Sequence, residues 1–356
     1  MMNSVRSSIR KLPPKAVIKI LRKVFSLPAP AARFILNEIT KARPCHQSWI
    51  YRVKEHDWSG CWIGQDIENQ DVFKRVQEAD VVLFYVHGGG FRIGSCTMYM
   101  DTMIAWIHAL QMKYGLTCMI MSIDYRLAPE YRYPSPIEDV VRAYEHLVHT
   151  LGIHTDKVIA IGDSAGAALV LEMLFITHDP SMFDIVTEKE QEQGKVRELP
   201  RPAGTILISP LVTDKTDSAS WQINQKYDYI TEHTAKVIKR DYFPTCDKEE
   251  EEEEQHTLGI AQLQTGFKAF LSPEVLMYIG HLEVLRDDAI QLAEKAEQDH
   301  VAWQTVIEED VHDWFCVREV VKDKEILKRA DNIFADFCYR AIGGPIRKEA
   351  CDQRIK

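Results

Sequence analysis

The sequence predicts an α/β protein, a mainly parallel sheet with helices on both faces. Two observations carry this. From about residue 80, short apolar runs recur, and several end directly in Gly or Pro; they lack the alternation of a sheet wetted on one side, so each strand is covered on both faces. Between them lie segments with apolar residues at helical spacing, which gives the strand–turn–helix order of a doubly wound layout.

Taken in order, the run 81–86 (VVLFYV) ends in Gly88-Gly89-Gly90, and 117–123 (TCMIMSI) leads into a loop with Pro129, Pro134 and Pro136. The run 157–161 meets Gly162, 204–208 meets Pro210, and 274–279 and 301–307 complete the set. Helical patterns cover 137–150, 165–178, 287–299 and 323–341, and Met98, Tyr99, Met103 and Trp106 form a further apolar helix face, read as core or as the lining of an acyl pocket. Two stretches interrupt the pattern. Residues 179–202 are polar, a surface excursion. Residues 211–271 carry Trp221, Tyr227, Tyr229, Tyr242, Phe243, Phe267 and Phe270, too apolar for a linker, and predict a cap over a site. Within them the run Glu249–Glu254 reads as a solvated loop.

Composition bounds the function. With 356 residues, 46% of them hydrophobic and 27% charged, the chain can bury a core, and wholesale disorder is excluded. A net charge of −10 argues against nucleic acid as a partner. Eight Cys without a CxxC or His–Cys spacing fit neither a disulfide scaffold nor a zinc site. A reducing, cytoplasmic setting is the expectation, with peripheral attachment to an ER or lipid-droplet membrane as the alternative. No run approaches the ~18 apolar residues of a membrane-spanning helix. Arg6, Arg10, Lys11, Lys15, Lys19, Arg22, Lys23 and Arg33 all precede the first acid, Glu38. Val17, Ile20, Leu21, Val24 and Phe25 recur there at helical spacing. Three readings stay open: a helix packed on the domain, a membrane-surface helix, or a targeting segment. Charges break every apolar core that a secretory signal would need. Oligomeric state is not legible.

Gly162-Asp163-Ser164-Ala165-Gly166 lies between a strand and an apolar helix. That is the context of a nucleophile elbow, a turn so tight that only small residues fit two positions either side of the nucleophile. The helix behind Ser164 aims amides and its positive dipole end at the same spot. His87-Gly88-Gly89-Gly90-Phe91 also follows a strand, and acyl transfer needs backbone donors that can approach an oxyanion closely. Gly88, Gly89, Gly90 and Ala165 are the candidates. A base and an acid should follow in the order Ser, acid, His. Asp310-Val311-His312-Asp313 follows the last strand and supplies His312 as base, in preference to His281. The strand before it leads to Glu283, Asp287 and Asp288; Glu283 lies in the loop itself, whereas the two Asp read as the acidic start of a helix, with Asp287 the alternative acid.

HGGGF, then Asp124-Tyr125-Arg126-Leu127-Ala128-Pro129-Glu130, then Pro134-Ser135-Pro136-Ile137-Glu138-Asp139, then GDSAG, resemble the hormone-sensitive-lipase-like family of α/β-hydrolases over roughly 80–320. The resemblance implies an α/β-hydrolase fold with an eight-stranded sheet. It also implies a helical cap made by N-terminal helices (1–60) and an insertion (211–271) on a hydrolase domain over 61–356. The implied activity is hydrolysis of short- to medium-chain acyl or acetyl esters through Ser164, His312 and Glu283. The partner is then a small-molecule ester, with no metal or organic cofactor. The family's acid lies in D-x-L-x-D-[ED]; the matching stretch here is Glu283-Val284-Leu285-Arg286-Asp287-Asp288, with Glu in place of Asp. Trp314-Phe315 stands where the family has Gly-Phe. The Glu form is similar to fungal members, some of which deacetylate sterols. Asp124, Arg126 and Glu130 read as paired charges bracing the oxyanion turn, and Asp163 as support for neighbouring loops. Alternatives are an amide or sterol-ester deacetylase with the same site, and a catalytically silent receptor; receptors that resemble the family lack the triad His, so His312 stands against the latter.

Overall fold

A computed structural model of the chain describes residues 12–56, 58–180, 198–243 and 259–344. The acidic run Glu249–Glu254, Cys246, Cys351, Arg6, Arg10 and Lys11 lie outside the described residues. Eight strands form one sheet: β1 (Ile50–Lys54), β2 (Ser59–Ile63), β3 (Val81–Val86), β4 (Cys118–Ile123), β5 (Val158–Asp163), β6 (Gly204–Ile208), β7 (Glu274–Gly280) and β8 (Ala302–Glu308). Their order is β1-β2-β4-β3-β5-β6-β7-β8, antiparallel at β1/β2 and β2/β4 and parallel elsewhere. The helices are α1 (Pro14–Phe25), α2 (Ala29–Thr40), α3 (Val72–Glu78), α4 (Met100–Tyr114), α5 (Ser135–Glu145), α6 (Ala165–His178), α7 (Ala219–Asn224), α8 (Glu232–Tyr242), α9 (Arg286–Gln298) and α10 (Lys324–Ala341), with single turns at Gly259–Gln262 and Phe267–Phe270.

Every residue of β3, β4, β5 and β6 is buried, which accounts for the missing alternation in their sequences. Successive side chains still go to opposite faces: Val82, Phe84 and Val86 pack with α3, α5, α6 and α9, whereas Val81, Leu83 and Tyr85 pack with α4 and α10. Each such side chain contributes ~1.5–3 kcal/mol when fully buried. In α10 the inward residues Leu327, Ala330, Phe334, Phe337 and Cys338 keep helical spacing, and the Asp323 side chain caps its start by accepting from the Glu325 amide. β8 is the edge strand opposite β1, and each residue of Ala302–Glu308 is exposed or half-buried, so this run, unlike those of the central strands, is not covered on both faces as its sequence predicted.

Two features differ from the sequence reading. The segment 50–63 is not helical: β1 and β2 extend the sheet, so the sheet domain begins near residue 50 and not 61. These strands are five residues each, and β1 is exposed on most of its length, so neither makes a long apolar run. Gly60 crosses β4 so closely that a Cβ would fall 2.1 Å from the Ser122 carbonyl oxygen. The helix expected over 137–150 is α-helical only to Glu145, and His146–Thr150 widens to a π-turn.

α1 packs on the domain through Val17 and Val24, while Lys15, Lys19 and Lys23 face solvent. Arg22 fixes its end to the carbonyl oxygens of Gln225 and Asp228. Arg33 of α2 binds the carbonyls of Arg92 and Ala128 and pairs with Glu130. Among the described residues, no helix is long and apolar enough to cross a membrane.

Candidate active site

The loops that leave β3, β5, β6, β7 and β8 all open at the carboxyl edge of the sheet, where ligand sites of open α/β folds form. Four of the positive-φ non-Gly residues lie in them: Phe91, Ser164, Ser209 and Asp313. Ser164 sits at φ 51, ψ −118 between β5 and α6. Its amide donates to the Ile208 carbonyl at 2.8 Å and its carbonyl accepts from Leu211 at 3.1 Å, which holds the strained turn from the neighbouring strand. Gly166 is forced by contact: a Cβ there would meet the Val86 carbonyl oxygen at 2.2 Å.

The Ser164 hydroxyl stands 2.8 Å from His312 Nε2. Glu283 approaches the other ring nitrogen, with Oε2 3.8 Å from His312 Nδ1. Both side chains are almost wholly buried. Glu283 Oε2 accepts from the Ser209 hydroxyl at 2.6 Å and the Gly280 amide at 3.1 Å. Asp287 is engaged elsewhere: its Oδ2 accepts from the Ser220 amide at 2.8 Å, and its Oδ1 pairs with Arg286. His281 is exposed. Burial disfavours the charged form of the His312 imidazole and lowers its pKa, and the same lack of water raises that of the Glu283 carboxyl, against the Ser209 and Gly280 hydrogen bonds that favour its carboxylate. A neutral imidazole is the form that can take a proton from Ser164.

The glycine turn after β3 lies against this pair. Gly89 has φ 106, and a Cβ there would fall 2.1 Å from the Ile93 carbonyl oxygen. A Cβ on Gly88 would fall 2.4 Å from Asp163 Oδ2, so Gly88 backs onto Asp163. Asp163 in turn is held by the Tyr85 hydroxyl. Gly90 borders a cavity of about 40 Å³ that contains Ser164 and His312 and is walled by Phe91, Leu211, Trp221, Ile230, Ile238 and Phe243. Gly89 borders a second cavity of about 110 Å³ beneath α1 and α2, where Met98 and Tyr99 lie together with Asp101, Arg318 and Glu319; Phe25 borders both. Met103 and Trp106 are core.

The charges of the Asp124–Glu130 stretch do not pair with one another. Arg126 pairs with Asp139 and Glu138, Glu130 with Arg33, and Asp124 accepts from the Cys96 amide at 2.6 Å. A buried pair, Arg92 Nε to Asp241 Oδ2 at 2.7 Å, ties the glycine turn after β3 to α8. Among the described residues, no group of three or more His, Cys, Asp or Glu is placed to hold a metal ion.

Sequence reasoning missed Ser209, Asp228, Tyr229 and Asp313. Asp228, in the segment between β6 and β7, accepts from the Val284 amide at 2.8 Å and the His312 amide at 3.4 Å, and so joins the two loops that carry Glu283 and His312. Tyr229 sets its ring edge-on to His312 at 5.5 Å. Asp313 Oδ2 lies 3.3 Å from His312 Nε2, and burial together with the nearby carboxyls of Asp163, Glu283 and Asp228 raises its pKa. The signal available for Ser209 was its place directly after a strand of the parallel set; for Asp228 and Tyr229 the sequence carries none, because their loop has no periodic pattern.

This geometry defines an α/β protein with a buried Ser–His pair at the carboxyl edge of its sheet. A family model described as "alpha/beta hydrolase fold" matches residues 83–316, and the chain belongs to that family. It is similar to Lipase 2 of Moraxella sp. (26% identical over 251 residues, covering 65% of this chain and 54% of the relative) and to an esterase of Acinetobacter venetianus (28% over 249 residues, 64% and 65%). The chain thus spans between half and two thirds of the length of these relatives. A crystal structure titled as an esterase of the bacterial hormone-sensitive lipase family superposes with a TM-score of 0.66 at 22% identity, over 92% of this chain and 98% of the other, a likeness of fold.

Proposed function

We propose that the protein is a serine carboxylester hydrolase for esters of short to medium acyl groups. The observation that carries this reading is the Ser164 Oγ–His312 Nε2 contact of 2.8 Å on a strained turn at the start of α6. The relatives named esterase and lipase agree with it. His312 takes the Ser164 proton as Oγ attacks the ester carbonyl. The oxyanion is met by the amides of Gly89, Gly90 and Ala165, with Gly88 bracing the turn against Asp163, and by the positive end of α6. Glu283 stabilises the imidazolium. Its Oε2 needs to close by about 1 Å to make a charge-assisted hydrogen bond of ~2.7–2.9 Å to Nδ1. His312 Nε2 then protonates the leaving alcohol, and water attacks the acyl-Ser164 carbonyl by the same route.

The cavity at Ser164 measures about 40 Å³, and its wall is mainly apolar, with Thr213, Asp214, Lys215 and Lys239 also bordering it. A single water occupies roughly 10–15 Å³ on this measure, so a few heavy atoms fit without displacing a wall. Turnover of aryl esters from acetyl to decanoyl tests the reading. Rates should be highest for acetyl to butyryl and fall with longer chains, and Ser164→Ala should abolish them all. Retained turnover in Ser164→Ala, or a maximum at decanoyl, contradicts it.

A further inference from the structure

We infer that Ser209 is a positioning residue whose hydroxyl ties the Glu283 carboxylate to the His312–Asp313 turn, so that acid and base are held as one unit. The inference rests on the proposed function. Ser209 follows β6 at φ 43, between the nucleophile turn and the acid loop. Its amide donates to the Tyr278 carbonyl of β7 at 2.7 Å, while the residue before it, Ile208, accepts from the Ser164 amide. The Ser209 hydroxyl donates to Glu283 Oε2 at 2.6 Å and accepts from the Asp313 amide at 2.9 Å. One hydroxyl has one proton to give and lone pairs to receive, so both bonds form together.

Oε2 is the atom that faces His312 Nδ1, and Ser209 and the Gly280 amide are the donors that fix it. Glu283 is wholly buried, so its carboxylate depends on such donors in place of water. The charged groups that face it are Arg286 at the start of α9, Asp228 from the segment between β6 and β7, and His312 and Asp313 from the loop after β8. Both Asp carboxylates oppose ionisation of Glu283, and Arg286 favours it. Removal of the Ser209 hydroxyl therefore frees the carboxylate to swing and raises its affinity for a proton. A protonated Glu283 stabilises no imidazolium.

The test is steady-state hydrolysis of an aryl acetate by wild type, Ser209→Ala, Ser209→Gly, Glu283→Ala and Ser209→Ala/Glu283→Ala, with kcat and KM measured across pH. Ser209→Ala should lower kcat by ~10–100-fold, the range for a lost hydrogen bond to a charged group, with KM within twofold. The acid limb of its kcat/KM profile should move to higher pH. Glycine tolerates the positive φ at 209, so Ser209→Gly keeps the fold and should show the same kinetic loss. In the Glu283→Ala background Ser209→Ala should cost no more than a further twofold. An unchanged kcat and pH profile in both Ser209 variants overturns the inference, as does a Ser209 effect that persists undiminished without Glu283, which would assign it to the Asp313 contact alone. Absence of Ser164-dependent turnover in the wild type overturns the proposed function and this inference with it, and is read before any Ser209 variant is compared.

Discussion

Replacement of Glu283 by Gln keeps the side chain's size and removes its charge. In the structure the carboxylate lies 3.8 Å from His312 Nδ1, inside a pocket from which water is excluded, so no solvent takes over the stabilisation of the imidazolium. Loss of the corresponding carboxylate in a serine hydrolase costs ~10⁴ in kcat, and Glu283→Gln should fall in the range of about 10³–10⁴ with KM nearly unchanged. Glu283→Asp keeps the charge but shortens the arm by one bond of about 1.5 Å. That withdraws the carboxylate from Nδ1 and from Ser209, and a misplacement of this size costs ~10². Asp287→Asn disturbs only the Ser220 amide and Arg286 contacts at the start of α9, so kcat should stay within about threefold and stability should fall by ~0.3–1 kcal/mol. The assay is hydrolysis of an aryl acetate, with circular dichroism as the check on folding. The ranking decides. If folded Asp287→Asn loses far more kcat than folded Glu283→Gln, the acid is Asp287 and the assignment of Glu283 is wrong.

Three further outcomes follow from the geometry. Burial pushes the Glu172 carboxyl, on α6, up to about 7 from an ordinary 4.5, so the native state holds its proton more tightly than the unfolded chain. The associated stability is complete below pH ~4.5 and lost as pH rises through about 7; urea titrations should show Glu172→Gln more stable than wild type at pH 8 by up to ~3 kcal/mol and close to it at pH 4.5, and a pH-independent difference would contradict this. Asp241→Ala leaves the Arg92 guanidinium, 2% exposed, without its buried partner and should destabilise by ~3–5 kcal/mol in the same titration; a loss below 1 kcal/mol would show that solvent reaches the pair. Gly89→Ala drives a Cβ towards the Ile93 carbonyl oxygen at 2.1 Å and must shift the turn, so kcat should fall by ~10²–10³ as for a lost oxyanion donor, and a kcat within threefold of wild type would remove Gly89 from that role.

The central strands were legible because burial on both faces erases alternation and leaves short apolar runs bounded by Gly or Pro. β1 and β2 escaped because each is short, and β1 lies exposed at the edge. That Ser164, His312 and Glu283 would converge was legible from chain order: a parallel sheet brings successive strand ends to one edge whatever the loops do. The supporting groups were not. Ser209 was passed over although it also follows a strand, since a hydroxyl beside Pro210 carries no distinctive chemistry in sequence. Asp228 and Tyr229 reach His312 from a segment whose position depends on α1 through Arg22, some two hundred residues away in sequence. Contacts of that separation leave no periodic trace. The Asp124–Glu130 charges were legible as paired, but not their partners: Arg126 reaches forward to α5 and Glu130 across to α2.

The central claim is that Ser164 is the nucleophile, activated by His312. Covalent labelling by an organophosphate, located by peptide mass spectrometry, tests it most directly. A single adduct, on Ser164, is expected in wild type and none in Ser164→Ala; labelling should slow by several orders of magnitude in His312→Ala, with kcat for ester hydrolysis down by about four to six orders in both variants. An adduct on any other serine, or substantial turnover by Ser164→Ala, would contradict it.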